Sequence, residues 1–322
     1  MSSEPLDRSQ LQREPVKDRP SKVSVDLFGS PVRAGMGVRE LLHGLPRILA
    51  SQSLLEIARR LADARRDRRE IIFAIGGHVI KVGLNPVLMS LMDEGILTCL
   101  AMNGAGVIHD VEIALWGRTS EDVGPALDQG MFGVAQETAE LINHAVREGA
   151  RQGKGFGAAV AERLREMGPP FAGFSLLCHA AEKGIPVTVH VALGTDIVHM
   201  HPSADGGAIG KTSLEDFYLL AARIARLEHG VFVNAGSAVI LPEVFVKALN
   251  LARNLGHKVQ TFTTVNMDFI KHYRPSVNVV ERPVRLGGKG YHLVGHHEIN
   301  LPLLAAAVLE ILASEGDPFE RA

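Results

Sequence analysis

Six short apolar runs, each closed by small or polar residues, constrain this chain more than any other feature. They cover residues 71–75, 96–102, 186–191, 231–234, 258–264 and 291–294. The clearest of them, such as 71–75 and 96–102, are continuous rather than alternating, so the strands are expected to be buried on both faces. Strands of that kind belong to parallel sheets with helices above and below. Helical spacing of apolar residues predicts helices over 54–66, 82–93, 107–116, 134–147, 158–166, 174–183, 214–227, 242–255 and 301–313. Gly95 stops the second of these, and Ser213 is positioned to cap the helix from 214, with Asp216 in its first turn. The expected fold class is α/β: a Rossmann-like parallel sheet with helices on both faces. Abundant glycine (33 residues) and few aromatics (5%) suit close helix–sheet packing rather than a sandwich or a base-stacking surface.

Charge narrows the partners. A formal net charge of −2 supplies no basic field for nucleic acid. The run Arg65-Arg66-Asp67-Arg68-Arg69-Glu70 mixes acids with bases and reads as a solvated helix end. The apolar stretch 301–313 is interrupted by Glu310 and falls short of the roughly 20 residues a bilayer requires, so no membrane partner is expected. The polar N-terminus has no signal-peptide core, and Cys99 and Cys178 lie in apolar runs as expected for free thiols. Both features point to a reducing, cytoplasmic setting. Residues 1–21 read as a disordered or docking arm, and 22–322 as a single domain.

In an open parallel sheet, ligands bind outside the carboxyl ends of the strands. Those ends carry Gly76-Gly77-His78, Asn103-Gly104-Ala105-Gly106, His190, Asn234-Ala235-Gly236-Ser237, Thr263-Thr264 and Gly295-His296-His297-Glu298. Small residues there allow backbone approach, and the helices that follow offer free N–H groups to phosphate. Together they predict a dinucleotide crevice. Neither nucleotide fingerprint is complete. Gly104-Ala105-Gly106 has His109 where a third glycine would stand, and Gly206-Gly207-Ala208-Ile209-Gly210-Lys211-Thr212 has Asp205 in place of the first P-loop glycine. His190 at the end of the strand 186–191, with His199 and His201 in the loop 192–212 and Asp196 and Asp205 nearby, forms an alternative metal-ligand set.

Asn103-Gly104-Ala105-Gly106-Val107-Ile108-His109-Asp110 resembles the Thr-Thr-Ala-Gly-Gly-x-x-x-Asp loop that touches NAD in the deoxyhypusine synthase family. The resemblance runs from about residue 25 to 313. It includes Gly77–Gly83 against that family's Ser-Asn-Leu-x-Ser-Ser-Gly turn, Ile185-Pro186-Val187, Asp205-Gly206, Asn250–Asn254 with Thr264, and His296–Leu304. The stretch from His109 to Gly117 is also similar to the NAD-dependent ornithine cyclodeaminase domain of the LOR/SDH-like group. The resemblance implies NAD as cofactor and a homotetramer. Together with the strand-end turns it gives as expected cofactor contacts Gly76, Gly77, His78, Asn103, Gly104, Ala105, Gly106, His109, Asp110, Asp205, Gly206, Gly236, Ser237, Thr264 and His296.

One departure matters. Glu281-Arg282-Pro283 stands where that family has the Trp-Gly-Lys whose lysine forms the enzyme imine, so deoxyhypusine synthesis itself is not expected. Lys289, in Gly287-Gly288-Lys289-Gly290, is the substitute amine. The expected function is an NAD-dependent transferase or lyase acting on a small amine or amino acid by hydride removal beside nitrogen. His201 or His297 would move protons, and Asp205 and Glu298 would hold the ammonium. The competing expectations are a metal-dependent hydrolase on His190, His199 and His201, and a non-catalytic NAD-binding regulator.

Overall fold

The computed structural model describes residues 5–314 and 316–319. The first four residues of the expected arm lie outside the described residues. Residues 5–26 are exposed along their whole length, with short 3-10 turns at Arg8–Gln10, Val16–Asp18 and Val25–Leu27. Backbone bonds to the body begin with Ser30 N–H donating to the Gly44 carbonyl (2.8 Å) and Arg47 N–H to that of Leu27 (2.9 Å).

The body opens with helices α1 (Val38–His43) and α2 (Leu49–Arg66), then strand β1 (Ile71–Ile75), α3 (Gly77–Lys81), α4 (Asn85–Asp93) and β2 (Cys99–Asn103). Five helices follow: α5 (Gly104–Trp116), α6 (Val123–Asp128), α7 (Gln136–Gln152), α8 (Phe156–Met167) and α9 (Leu176–Lys183). Then come β3 (Val187–His190), α10 (Gly206–Ile224), β4 (Val231–Ala235), α11 (Ile240–Asn254) and β5 (Thr263–Asp268). The chain continues through α12 (Tyr273–Pro275) and a π-helical turn at Ser276–Glu281 to β6 (Lys289–Val294) and α13 (His297–Leu312). Among the described residues no helix is long and apolar enough to cross a membrane.

All five strand pairings are parallel, in the order β3-β2-β1-β4-β5-β6. This is the doubly wound order, in which the sheet reverses direction between β1 and β4. Burial on both faces explains the unbroken apolar run of β1, whereas the edge strand β6 buries only Tyr291 and Leu293 fully, contrary to the expectation of burial on both faces. Ile71, Phe73 and Ile75 join the core under α2 and α13, while Ile72 and Ala74 join a second core under α10 and α11. In the second core Phe232 stacks on Phe245 with ring centroids 3.8 Å apart. Both cysteines are buried free thiols, and burial pushes Cys99 up to about 12.

Several expected boundaries move, and three of the shifts bear on the site. The fifth strand runs 263–268, so Thr263-Thr264 opens it rather than closing it. Thr263 is paired with Val231 and Lys289 at the strands' amino ends. The P-loop-like run is the first two turns of α10, capped by Asp205, whose carboxylate accepts from Ala208 N–H. Ser213 therefore lies inside the helix and donates to the Val189 carbonyl, and Asp216 is buried, accepting from Gly157 and Val189 N–H. Helix α13 starts at His297, four residues before the expected 301, which brings that histidine to a helix N-terminus.

Candidate functional site

A parallel sheet gathers every strand's carboxyl end on one edge. At the reversal point the turns bond to one another: Gly76 N–H donates to the Ala235 carbonyl (2.9 Å), Gly236 N–H to Met267 (3.1 Å) and Gly295 N–H to Asp268 (3.0 Å). Two glycines have a tighter reason than expected. A Cβ on Gly76 would stand 2.0 Å from the Gly236 carbonyl oxygen, and one on Gly104 only 1.9 Å from Oδ2 of Asp196. On the side where a Cβ would stand, Gly76 is met by the turn after β4 and Gly104 by the Asp196 carboxylate.

The β4–β6 side of the edge is built around His297. Its residue is 2% exposed, yet neither ring nitrogen has a partner. Gly236 permits the approach, since a Cβ there would stand 3.0 Å from His297 Nε2. Burial pulls the imidazole below its usual pKa, against the opposing pull of Asp268. Asp268 ends β5, is itself buried, and lies 3.8 Å from Nε2 of His272. His78, exposed at the start of α3, has its ring centroid 6.0 Å from that of His297. Asn300 Nδ2, against Gly295, is also buried without a partner. His296 and Glu298 are exposed and 3.8 Å apart.

On the β2–β3 side, Asn103 caps α5 by accepting from Gly106 N–H (2.9 Å). A cavity of about 730 Å³ opens beside this helix, lined by Ala105, His109, Glu112, Thr119, Thr138 and Asp196 among others. His109 Nδ1 lies 2.7 Å from Thr119 Oγ1, and the Thr119 hydroxyl donates to Glu112. Burial, reinforced by the Lys81 charge, lowers His109 to about 4. Burial raises Asp196 to about 6, and its Oδ2 has no partner.

Several expected site residues are placed elsewhere or already used. Asp110 is fully buried and accepts from Asn85 Nδ2, the Ser175 hydroxyl and the Leu176 and Leu177 N–H groups; its oxygens are engaged in tying α5 to the start of α9. Thr264 is fully buried near the amino end of β5. Lys289 starts β6, at the opposite edge from the glycine turns, and pairs with Glu56 (2.6 Å) beside a separate cavity of about 360 Å³. It is therefore not within reach of His297. Asp205 is spent capping α10, and Gly206 begins that helix. Ser237 is buried and its hydroxyl accepts from Leu241 N–H (3.2 Å).

The histidine set does not converge. His190 is buried against Thr188, with its pKa lowered to about 3 by burial. His199 Nδ1 accepts from Gly194 and Asp196 N–H, and His201 bonds to Ser203. Among the described residues no three His, Cys, Asp or Glu side chains gather as a group able to hold a metal ion, so the ligand set His190, His199 and His201 is not assembled. Sequence reasoning missed Thr119 and Asp268. Asp268 becomes legible once β5 is read two turns of pleat further; Thr119, in a polar connection, carries no signal.

These features define a doubly wound α/β fold whose carboxyl edge holds buried, unpartnered polar groups. No protein-family model and no curated protein matches the chain. Solved structures do. A conserved LOR/SDH protein from Methanococcus maripaludis S2 aligns with TM-score 0.51 at 14% identity, covering 82% of this chain and 71% of that one. A deoxyhypusine synthase from Entamoeba histolytica aligns with TM-score 0.51 at 10% identity over 90% of this chain and 99% of that one. AgrE, crystallised as a ternary complex with ornithine and NAD+, aligns with TM-score 0.53 at 14% identity over 87% of this chain. The chain spans 34% of AgrE's length, so it corresponds to one part of that protein. At these identities the likeness is one of fold: the chain has the architecture of deoxyhypusine synthase and its LOR/SDH neighbours.

Proposed function

We propose that this protein is an NAD-dependent enzyme acting on a small amine or amino acid, with the dinucleotide lying across the carboxyl edge of the sheet at the β1–β4 reversal. The observation that carries this reading is His297. A buried imidazole with two unpartnered nitrogens costs stability and is retained where a ligand completes it. It stands at the first turn of the 16-residue helix α13, whose free N–H groups favour an anion. AgrE, of the same architecture, was crystallised with NAD+ and ornithine, which supports both the cofactor and the substrate class.

When bound, the nicotinamide supplies a two-electron hydride acceptor. The chain's own groups do the rest. Burial keeps His297 neutral at pH 7, able to donate through one nitrogen and accept through the other. The Asp268 charge favours its proton-loaded form when one is taken up. Lys289 has no part in this chemistry, and the reaction proceeds without an enzyme imine at that position.

Thermal unfolding with NAD+, NADP+ and ADP-ribose, each alone, tests the reading. A dinucleotide present at 100 times its dissociation constant adds about 2.7 kcal/mol. Stabilisation of wild type but not of His297→Leu is the expected result. A chain indifferent to all three ligands at millimolar concentration overturns it.

A further inference from the structure

We propose that the cavity beside α5 is an amino-acid site, with the ligand's ammonium held by Asp196 and hydrogen-bonded to Nε2 of His109, and with Glu112 and Thr119 as positioning residues that fix that imidazole. The proposal deepens the amine reading by giving the charged nitrogen a place apart from His297.

The bonding of Thr119 sets the argument. Its hydroxyl has one hydrogen, and that hydrogen is donated to Glu112, which also accepts from Thr138 (3.2 Å). Thr119 Oγ1 can therefore only accept from the nitrogen 2.7 Å away, so Nδ1 of His109 carries the ring proton. In the neutral ring Nε2 is then a lone pair. The ring edge beside Nε2 packs on Gly77, where a Cβ would meet Cδ2 at 2.9 Å, so the imidazole is held from both sides.

Asp196 supplies the charge. Its side chain is 6% exposed, it lines the same cavity, and Oδ2 makes no bond within the protein. The nearest cation candidate on its own turn, His199 Nε2, stands 3.8 Å off and is likewise unpartnered. The remaining charged groups facing the cavity are Lys81, Arg118, Glu112, Glu121 and Glu137. Glu112 is engaged by the two threonines, and Glu121 accepts from Gly133 N–H. Lys81 and Arg118 are exposed at the cavity wall and suit a carboxylate. Two acceptors for an ammonium and two cations for a carboxylate select a zwitterionic amino acid over a simple diamine.

The test uses the full chain with L-ornithine and putrescine as probes, by calorimetry, alongside NAD+. Asp196→Asn keeps the side-chain oxygen that accepts from the His199 backbone while losing the charge. It is expected to weaken ornithine about 10- to 100-fold, the range for a charged hydrogen bond, and to leave NAD+ affinity within about twofold. Putrescine should bind wild type more weakly than ornithine. Nitrogen-detected NMR of His109 should show the Nδ1–H tautomer in wild type and its loss in Thr119→Val, with Glu112→Gln as the gentler second variant. Ornithine affinity unchanged in Asp196→Asn, or no ornithine binding by wild type that binds NAD+, overturns the site. So does tighter NAD+ binding by Asp196→Asn, which would mean the carboxylate stands where a phosphate belongs. Ornithine binding that depends on Asp196 in a chain that binds no dinucleotide would keep this site and discard the NAD reading.

Discussion

The two edges of the same six strands differ in how their polar groups are used. At the amino edge Glu70 takes Arg223 (2.9 Å), Arg226 (2.8 Å) and the Thr98 hydroxyl, and Glu228 accepts from Gln260 and Thr261 N–H. At the carboxyl edge His297, Asp196, His199, Asn234 and Asn300 each bury an atom with no partner. The separation is not absolute, because Arg223 Nε and Thr264 Oγ1 are also unpartnered toward the amino side. Even so, the contrast teaches that one edge spends its polar groups on folding and the other holds them in reserve. A fold pays for such reserve in stability, and binding recovers it.

Substitutions at the two edges should therefore move stability in opposite directions. The largest effect is expected for Glu70→Ala, which strands two arginines and a hydroxyl; urea unfolding should show a loss of about 3–5 kcal/mol. A loss below about 1 kcal/mol would erase the contrast. Asp196→Asn comes next, with the opposite sign. Its carboxyl titrates near 6 in the folded protein against an ordinary value of 3.8. Between about pH 4 and 6 the folded state holds a proton that the unfolded chain has released, so stability falls as pH rises through that window. The variant should remove this slope and gain up to about 3 kcal/mol at pH 7, at 1.36 kcal/mol per pKa unit. Parallel pH–stability curves for the two proteins would break the argument. His297→Leu should be neutral or more stable by about 1 kcal/mol while losing dinucleotide-induced stabilisation. Lys289→Met should cost the least, under about 1 kcal/mol, since its ammonium is largely exposed and Glu56 keeps the Tyr291 hydroxyl as a donor; a large loss of activity in that variant would restore it to the mechanism.

The sheet was legible because burial on both faces writes unbroken apolar runs such as Ile71–Ile75 into the chain. The edge was legible because parallel strands put all their closing turns together. Where reading failed, the side chain looked alike in two settings. Thr263-Thr264 suits the start of a strand as well as its end, and only the pairing with Val231 and Lys289 decides. Asp110 follows the glycine loop just as a cofactor contact would, but four donors from two distant segments consume it. Those partners lie 25 to 67 residues away, beyond any local pattern. His297 was singled out from its neighbours' chemistry, whereas its orphaned nitrogens depend on how tightly Gly236 lets α13 approach.

Cys99 gives the fold an internal clock. The thiol sits wholly enclosed on the first residue of β2, paired with Ile72 of β1, and burial holds it in the unreactive protonated form well above neutrality. A thiolate-seeking reagent therefore meets it only when the amino ends of β1 and β2 separate from the helices that cover them. The rate of its labelling in native buffer would time that opening, and a ligand gripping the far ends of those same strands would slow the count without touching the sulfur.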